Sequence, residues 1–137
     1  MASKGTIAAA SKKRVFLVDD NEIVRAALTT LINAESDFVV CGEAEDENCA
    51  LAAVKELQPD VAIVDWSLKE GDASKLITAL SRRRPQVPVL VLSVHEKEYY
   101  AERATSAGAC GYIMKHEAAD KLIEAVRRVA AGQTLSP

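Results

Sequence analysis

The chain predicts an α/β domain with a doubly wound parallel sheet, and three observations support that. Apolar runs alternate with helical stripes about five times, the signature of repeated strand–helix units. The runs are continuous rather than alternating, as expected of strands covered on both faces. Four of them end in a chemically useful side chain: Asp19 and Asp20, Asp65, Ser93, and Lys115. In a parallel sheet those ends share one edge, where open α/β folds place their ligands.

The elements follow in order. Val15 to Val18 form the first run, and Asn21 then suits the N-cap of a helix striped by Ile23, Val24, Ala27, Leu28, Leu31 and Ile32. Phe38 to Cys41 form the second run. The next helix carries Leu51, Val54 and Leu57, and Pro59 stops it. Val61 to Val64 lead into Asp65. Leu76, Ile77 and Leu80 mark a third helix that ends before Pro85. Val89 to Leu92 lead into Ser93. Tyr99, Tyr100, Arg103, Ala104 and Ala107 mark a fourth helix, with Gly108 placed to terminate it. Tyr112 to Met114 lead into Lys115. The last helix carries Leu122, Ile123, Val126 and Val129. Glu117 lies in its first turn, Arg127 and Arg128 in its last, and Gly132 beyond, all in the sense the helix dipole prefers.

The bulk numbers exclude several classes. The 137 residues suit one domain able to bury a core. A composition 49% hydrophobic and 27% charged is that of an ordinary globular protein, and a net charge of −3 marks no nucleic-acid binder. No apolar stretch approaches the roughly 18 residues needed to span a bilayer. Residues 1–13 lack the apolar segment of a secretory signal and read as a flexible leader. Cys41, Cys49 and Cys110 show no C-x-x-C spacing, which argues against a disulfide framework or a zinc site. Cys41 and Cys110, inside apolar runs, read as small core residues. Together these point to the cytoplasm. Arg82, Arg83 and Arg84 read as a solvated helix end.

In the flavodoxin-like strand order 2-1-3-4-5, strands one and three are neighbours. Asp19, Asp20 and Asp65 then converge within a few ångströms, where each like-charge pair costs about 4 kcal/mol at an effective dielectric of 20. Such a cluster needs a cation or a proton, and hard oxygen ligands with open positions suit Mg²⁺. Lys115 offers an ammonium and Ser93 a hydroxyl, so metal, ammonium and hydroxyl together meet the needs of a phosphoryl group. A carboxylate among them can act as nucleophile, and Asp65, on the central strand, is the best placed. Each residue alone also has a plainer reading, as helix cap, loop hydroxyl or solvated lysine. Their joint position at strand ends carries the functional one.

Four segments in this order and spacing resemble the receiver domain of bacterial two-component response regulators. They are Val15 to Asp20, Pro59 to Asp65, Val89 to Ser93, and Ala107 to Lys115. Gly42-Glu43-Ala44, the stretch from His95 to Arg103, and the ending Gly132 to Pro137 look like the NarL/FixJ-type subgroup. The resemblance implies a (βα)5 receiver over residues 14–132 and the start of a linker at 133–137. A helix-turn-helix output domain controlling transcription would follow, outside this chain. It implies Asp65 as phosphoacceptor for a sensor histidine kinase, and a signalling domain rather than an enzyme. Mg²⁺ would be held by Asp19, Asp20, Asp65 and the backbone carbonyl of Ser67. Lys115 would contact the phosphoryl group, Ser93 would be the switch hydroxyl, and Tyr112 the aromatic that follows it. Ser67 and His95 would tune phosphoryl lifetime, His95 sterically or as a proton acceptor. Phosphorylation would bias the face formed by the fourth helix, fifth strand and fifth helix, and homodimerisation could follow. DNA contact would come only through the output domain.

The chain departs from the family pattern at Lys69, where proline is common, and at Ala73, where glycine is common. The loop after Asp65 is therefore expected to be more mobile or differently turned, with an extra cation near the site. The alternative function is a receiver-fold interaction module independent of phosphorylation, which the intact acidic and basic set argues against. A phosphatase with an Asp nucleophile would carry Asp-x-Asp after its first strand, which Asp19-Asp20-Asn21 does not supply. No G-x-G-x-x-G follows that strand to favour a dinucleotide.

Overall fold

The computed structural model describes residues 12–69 and 71–135; most of the expected leader, Glu70 in the loop after Asp65, and the last two residues lie outside them. Five strands, β1 (Lys13–Val18), β2 (Phe38–Ala44), β3 (Val61–Asp65), β4 (Val89–Ser93) and β5 (Gly111–Met114), alternate with five helices. The helices are α1 (Glu22–Asn33), α2 (Glu47–Leu57), α3 (Ala73–Arg82), α4 (Lys97–Ala107) and α5 (Ala118–Ala130). All neighbouring strands pair in parallel, in the order β2-β1-β3-β4-β5. This is the flavodoxin-like fold the sequence predicts.

Strand alternation divides the core in two. Phe16, Val18, Val64 and Val91 pack with Val54, Leu76, Ile77, Leu80 and Ala104, so α2, α3 and α4 cover one face. Val15, Leu17, Ile63 and Leu92 pack with Leu28, Ile32, Leu122, Val126 and Val129, so α1 and α5 cover the other. Every residue of β3 and β4 is buried, which is why those strands read as unbroken apolar runs. Burying one large apolar side chain contributes roughly 1.5–3 kcal/mol, so these two layers hold the strand ends rigidly.

The caps follow the expected chemistry. Asn21 Oδ1 accepts the N–H groups of Ile23 and Val24 at 2.9 and 3.2 Å. Helix α2 ends at Gln58 in a left-handed conformation, just before Pro59. Gly108, with φ of 117°, ends α4. Four expectations are corrected. Ile23 and Tyr99, counted among helix stripes, are 80% and 71% exposed. Cys41 and Cys110 are half-buried and pack against the edges of the two core layers. Glu117 precedes α5 in a 3-10 turn, where its carboxylate accepts the Met114 N–H at 3.2 Å. Strand β2 runs on to Ala44 instead of stopping at Cys41. Beyond α5, Leu135 donates its N–H to the Cys110 carbonyl at 2.7 Å and packs against the α1/α5 layer.

Candidate functional site at the carboxyl ends of the strands

Strand register builds the site. Val18 pairs with Val64, and Asp65 pairs with Leu92, so Asp19 and Asp65 leave their strands at the same level. Ser93 pairs with Met114, one step further out, and Lys115 follows. One oxygen from each of Asp19, Asp20 and Asp65 lies within 4.8 Å of the others. Lys115 Nζ reaches Asp19 Oδ2 at 3.0 Å and Asp65 Oδ2 at 3.5 Å. The residues expected to form the crevice core are therefore together.

Burial sets the electrostatics. Asp19 is 2% exposed and Asp65 4%, whereas Asp20 is half-exposed. Asp65 Oδ1 accepts the Ser67 N–H at 3.1 Å. Burial nevertheless pushes the Asp65 carboxyl above the usual range, helped by the charges of Asp19 and Asp20 and opposed by Ser67 and Lys115. For Lys115, burial acts to lower the pKa, but the carboxylates of Asp19 and Asp65 outweigh it and leave it raised. Asp19 Oδ1 accepts the Asn21 N–H at 2.9 Å, while Oδ2 is buried and, among the described residues, has the Lys115 ion pair but no aligned hydrogen bond. Within this cluster Asp19 and Asp65 are ion-paired to one ammonium, Lys115, and the three carboxylates carry more negative charge than it offsets. An under-satisfied buried oxygen in an all-oxygen donor set of that charge fits a hard divalent cation.

Ser93 is fully buried, and its Oγ accepts the His95 N–H at 3.0 Å. Tyr112 is buried as well, and its hydroxyl donates to the His95 carbonyl at 3.0 Å. Burial raises the Tyr112 phenol, with the Ser93 hydroxyl acting the other way. The His95 ring lies 4.7 Å from that of Tyr100, which in turn lies 6.1 Å from Trp66 beside Asp65. Ser67 itself is exposed.

Sequence reasoning missed three groups. Arg25 donates to the Asp19 carbonyl at 2.6 Å and to Glu43 Oε1 at 2.7 Å, bracing the end of β1. Glu47 Oε1 accepts the Asp72 N–H at 3.0 Å, tying the loop after Asp65 to α2. The N–H of Lys69 donates to Asp20 Oδ2 at 3.0 Å. Backbone donors and a lone arginine leave no periodic trace, so only the departure at Lys69 pointed there. The loop expected to be more mobile or differently turned is tied at two points, Lys69 to Asp20 and Asp72 to Glu47.

A doubly wound sheet with a buried carboxylate, two acidic neighbours and a lysine at the strand ends defines the receiver class of signalling domain. Residues 15–127 match the response regulator receiver domain, and the chain belongs to that family. It is 34% identical over 122 residues to the transcriptional regulatory protein DegU of Brevibacillus brevis, covering 89% of this chain and 52% of that protein. The chain thus spans about half the length of the curated relatives it matches. A LuxR-family two-component response regulator from Aurantimonas superposes with a TM-score of 0.85 at 29% identity, covering 93% of this chain and 91% of the other. The receiver domain of the NarL regulator of Mycobacterium tuberculosis gives 0.82 at 28% identity, with 90% and 99% covered. These relatives agree with the NarL/FixJ-type subgroup. Among the described residues, no helix is long and apolar enough to cross a membrane.

Proposed function

We propose that this receiver is controlled by phosphorylation of Asp65. A carboxylate oxygen of Asp65 forms the new O–P bond as the N–P bond of a phosphohistidine on a sensor kinase breaks. The observation that carries this reading is the Lys115 ammonium held between Asp65 and Asp19, at 3.5 and 3.0 Å. It supplies a fixed cation where phosphoryl oxygens would arrive.

Mg²⁺ is the cation the donor set suits, and Asp19, Asp20, Asp65 and the Ser67 backbone carbonyl would hold it. When bound, it would offset the charge of the incoming phosphoryl group. The chain's own groups do the rest. Asp65 is the nucleophile, kept oriented by the Ser67 N–H. Lys115 pairs with the added charge of roughly −1.5 to −2. Ser93 turns its hydroxyl to a phosphoryl oxygen, and Tyr112 responds through His95. His95 and Ser67 flank the path by which water would reach the phosphoryl group.

The wider setting extends the same reading. Residues 14–132 form the receiver and 133–137 begin a linker to a helix-turn-helix domain that binds DNA. The phosphorylated form pairs with a second copy, and the protein works in the cytoplasm.

The test is intact mass after incubation with a small phosphodonor and Mg²⁺. One added phosphoryl group is expected, lost with Asp65→Asn and with EDTA. Labelling that persists in Asp65→Asn would move the acceptor elsewhere. A folded wild type that takes no phosphoryl from either this donor or a kinase would leave an interaction module.

A further inference from the structure

We propose that the backbone N–H of Lys69 is a positioning group for Asp20, holding this carboxylate in place for a divalent cation. The inference rests on the cation reading above and adds a residue to it. Asp20 is the one member of the acidic cluster that reaches solvent. Repulsion from Asp19 and Asp65 favours swinging it outward, because water solvates a lone carboxylate better than two like neighbours do. One hydrogen bond opposes that swing: the Lys69 N–H to Asp20 Oδ2, at 3.0 Å. With Oδ2 occupied, Oδ1 is left for a metal. Hydrogen-bonded ligand carboxylates are the usual way a protein fixes the direction of a metal ligand.

The donor belongs to the loop after β3, which is also anchored through the Asp72 N–H on Glu47. Asp20 is therefore held by a segment braced on α2. The side chain of Lys69 acts in the opposite sense. It lines a crevice of about 440 Å³ with Asp20, Asn21, Glu22 and Lys115, where its charge opposes a cation and the Glu22 carboxylate offsets only part of that. One residue thus carries two separable effects, a backbone hydrogen bond that favours the metal and an ammonium that disfavours it.

Two substitutions separate them. Lys69→Ala removes the charge and keeps the N–H. Lys69→Pro removes both. Mg²⁺ is titrated into each protein, followed by the fluorescence of Trp66, the single tryptophan, which adjoins Asp65. Lys69→Ala is expected to bind Mg²⁺ more tightly than wild type. Lys69→Pro is expected to bind about 10-fold more weakly than Lys69→Ala. Equal affinities for the two variants overturn the inference while leaving the cation reading intact. A wild type that binds no Mg²⁺ takes down the cation reading and this inference with it.

A second measurement needs neither metal nor proline. In metal-free wild-type protein, the amide proton resonance of Lys69 should sit downfield, as expected of a donor to a carboxylate. It should move upfield in Asp20→Ala. A resonance that does not respond to Asp20→Ala overturns the inference, because a loop held for purely structural reasons would leave it unchanged.

Discussion

Asp65→Asn should stabilise the metal-free protein while abolishing its chemistry. Unit charges no more than 4.8 Å apart at an effective dielectric of 20 repel by at least roughly 3.5 kcal/mol, and the 3.5 Å contact with Lys115 attracts by roughly 4.7 kcal/mol. Asp19 is buried and exerts the full repulsion. Asp20 reaches water, where screening cuts its share to about half. The sum is a net repulsion of at least about 0.5 kcal/mol, and relief from burying a charge adds in the same direction. The expected gain is about 1 kcal/mol in EDTA, or roughly 3 to 5 °C in Tm at this chain length.

Two dependences sharpen the expectation. The folded pKa of Asp65 is raised, so its contribution to stability is full below the unfolded value and is lost as pH rises through the folded value. The gap between variant and wild type should therefore be widest at neutral pH and close as pH falls through the raised Asp65 value. Mg²⁺ should reverse the order. At 100 times Kd a cation stabilises the wild type by about 2.7 kcal/mol, and the amide variant gains little. Thermal and urea unfolding, each with EDTA and with Mg²⁺, read all three. An Asp65→Asn protein less stable than wild type in EDTA at neutral pH would show that Lys115 overcompensates the cluster and that the charge ledger is wrong.

Two further outcomes are expected. Arg127 donates from Nε and one amino group to Asp37 at 2.8 and 3.0 Å, and these bonds hold the Asp37 carboxyl below the usual range. Its contribution is thus present above the ordinary carboxylate value and lost as pH falls through the lower folded one; in Arg127→Gln the Asp37 carboxyl carbon should titrate back up toward the ordinary value by NMR. His95→Ala keeps the backbone carbonyl that Tyr112 grips but removes the ring packed on Tyr100. The phosphoryl group should then decay roughly 3- to 10-fold faster, about 0.7–1.4 kcal/mol of barrier. An unchanged decay rate would remove the His95 side chain from the site.

The parts legible in sequence were those governed by burial. Strands β1, β3 and β4 lie inside the sheet, covered by both helix layers, so their apolar runs are unbroken and each stops at a polar residue, Asp19, Asp65 or Ser93. Edge strand β2 is largely half-buried, so its pattern faded and its end at Ala44 was missed. Ile23 and Tyr99 misled because an apolar residue at helical spacing carries no mark of whether a partner element covers it. Asp19, Asp20, Asp65 and Lys115 come together as expected because topology brings strand ends to one edge, whereas Tyr112, inside β5, was pointed to only by the family resemblance. What holds those groups in place was not legible. The Lys69 and Asp72 amides and the Arg25 guanidinium act through hydrogen bonds that any sequence with a main chain, or one long cation, could make.

The same crevice chemistry explains why a signal could leave it through α4. The fully buried residues of α4 are the small Ala101 and Ala104, with Tyr100 and Ala107 partly buried beside them, so this helix buries less apolar surface than one anchored by several large side chains. Its entry loop is gripped at one residue from two sides, the Ser93 Oγ on the His95 N–H and the Tyr112 hydroxyl on the His95 carbonyl. On the proposed reading, a phosphoryl oxygen on Asp65 accepts the Ser93 O–H, and any turn of the Ser93 side chain toward it frees or re-aims the His95 N–H that its Oγ now accepts. Moving a two-state loop from 1:99 to 99:1 takes about 5.5 kcal/mol of differential stabilisation. Charge-assisted contacts from Lys115 and Ser93 in a shielded crevice are of that order when two or three act together. The far end of α4 is held separately: Thr78 Oγ1 donates to the Ala107 carbonyl at 3.0 Å, and Gly108 lies against Ser81. On that reading, α4 stays fastened to α3 at its C-terminus, and release of the His95 grip would let its N-terminal end pivot. The largest displacement would then be expected at Tyr99, exposed in the first turn of α4, and at Val94, exposed in its entry loop.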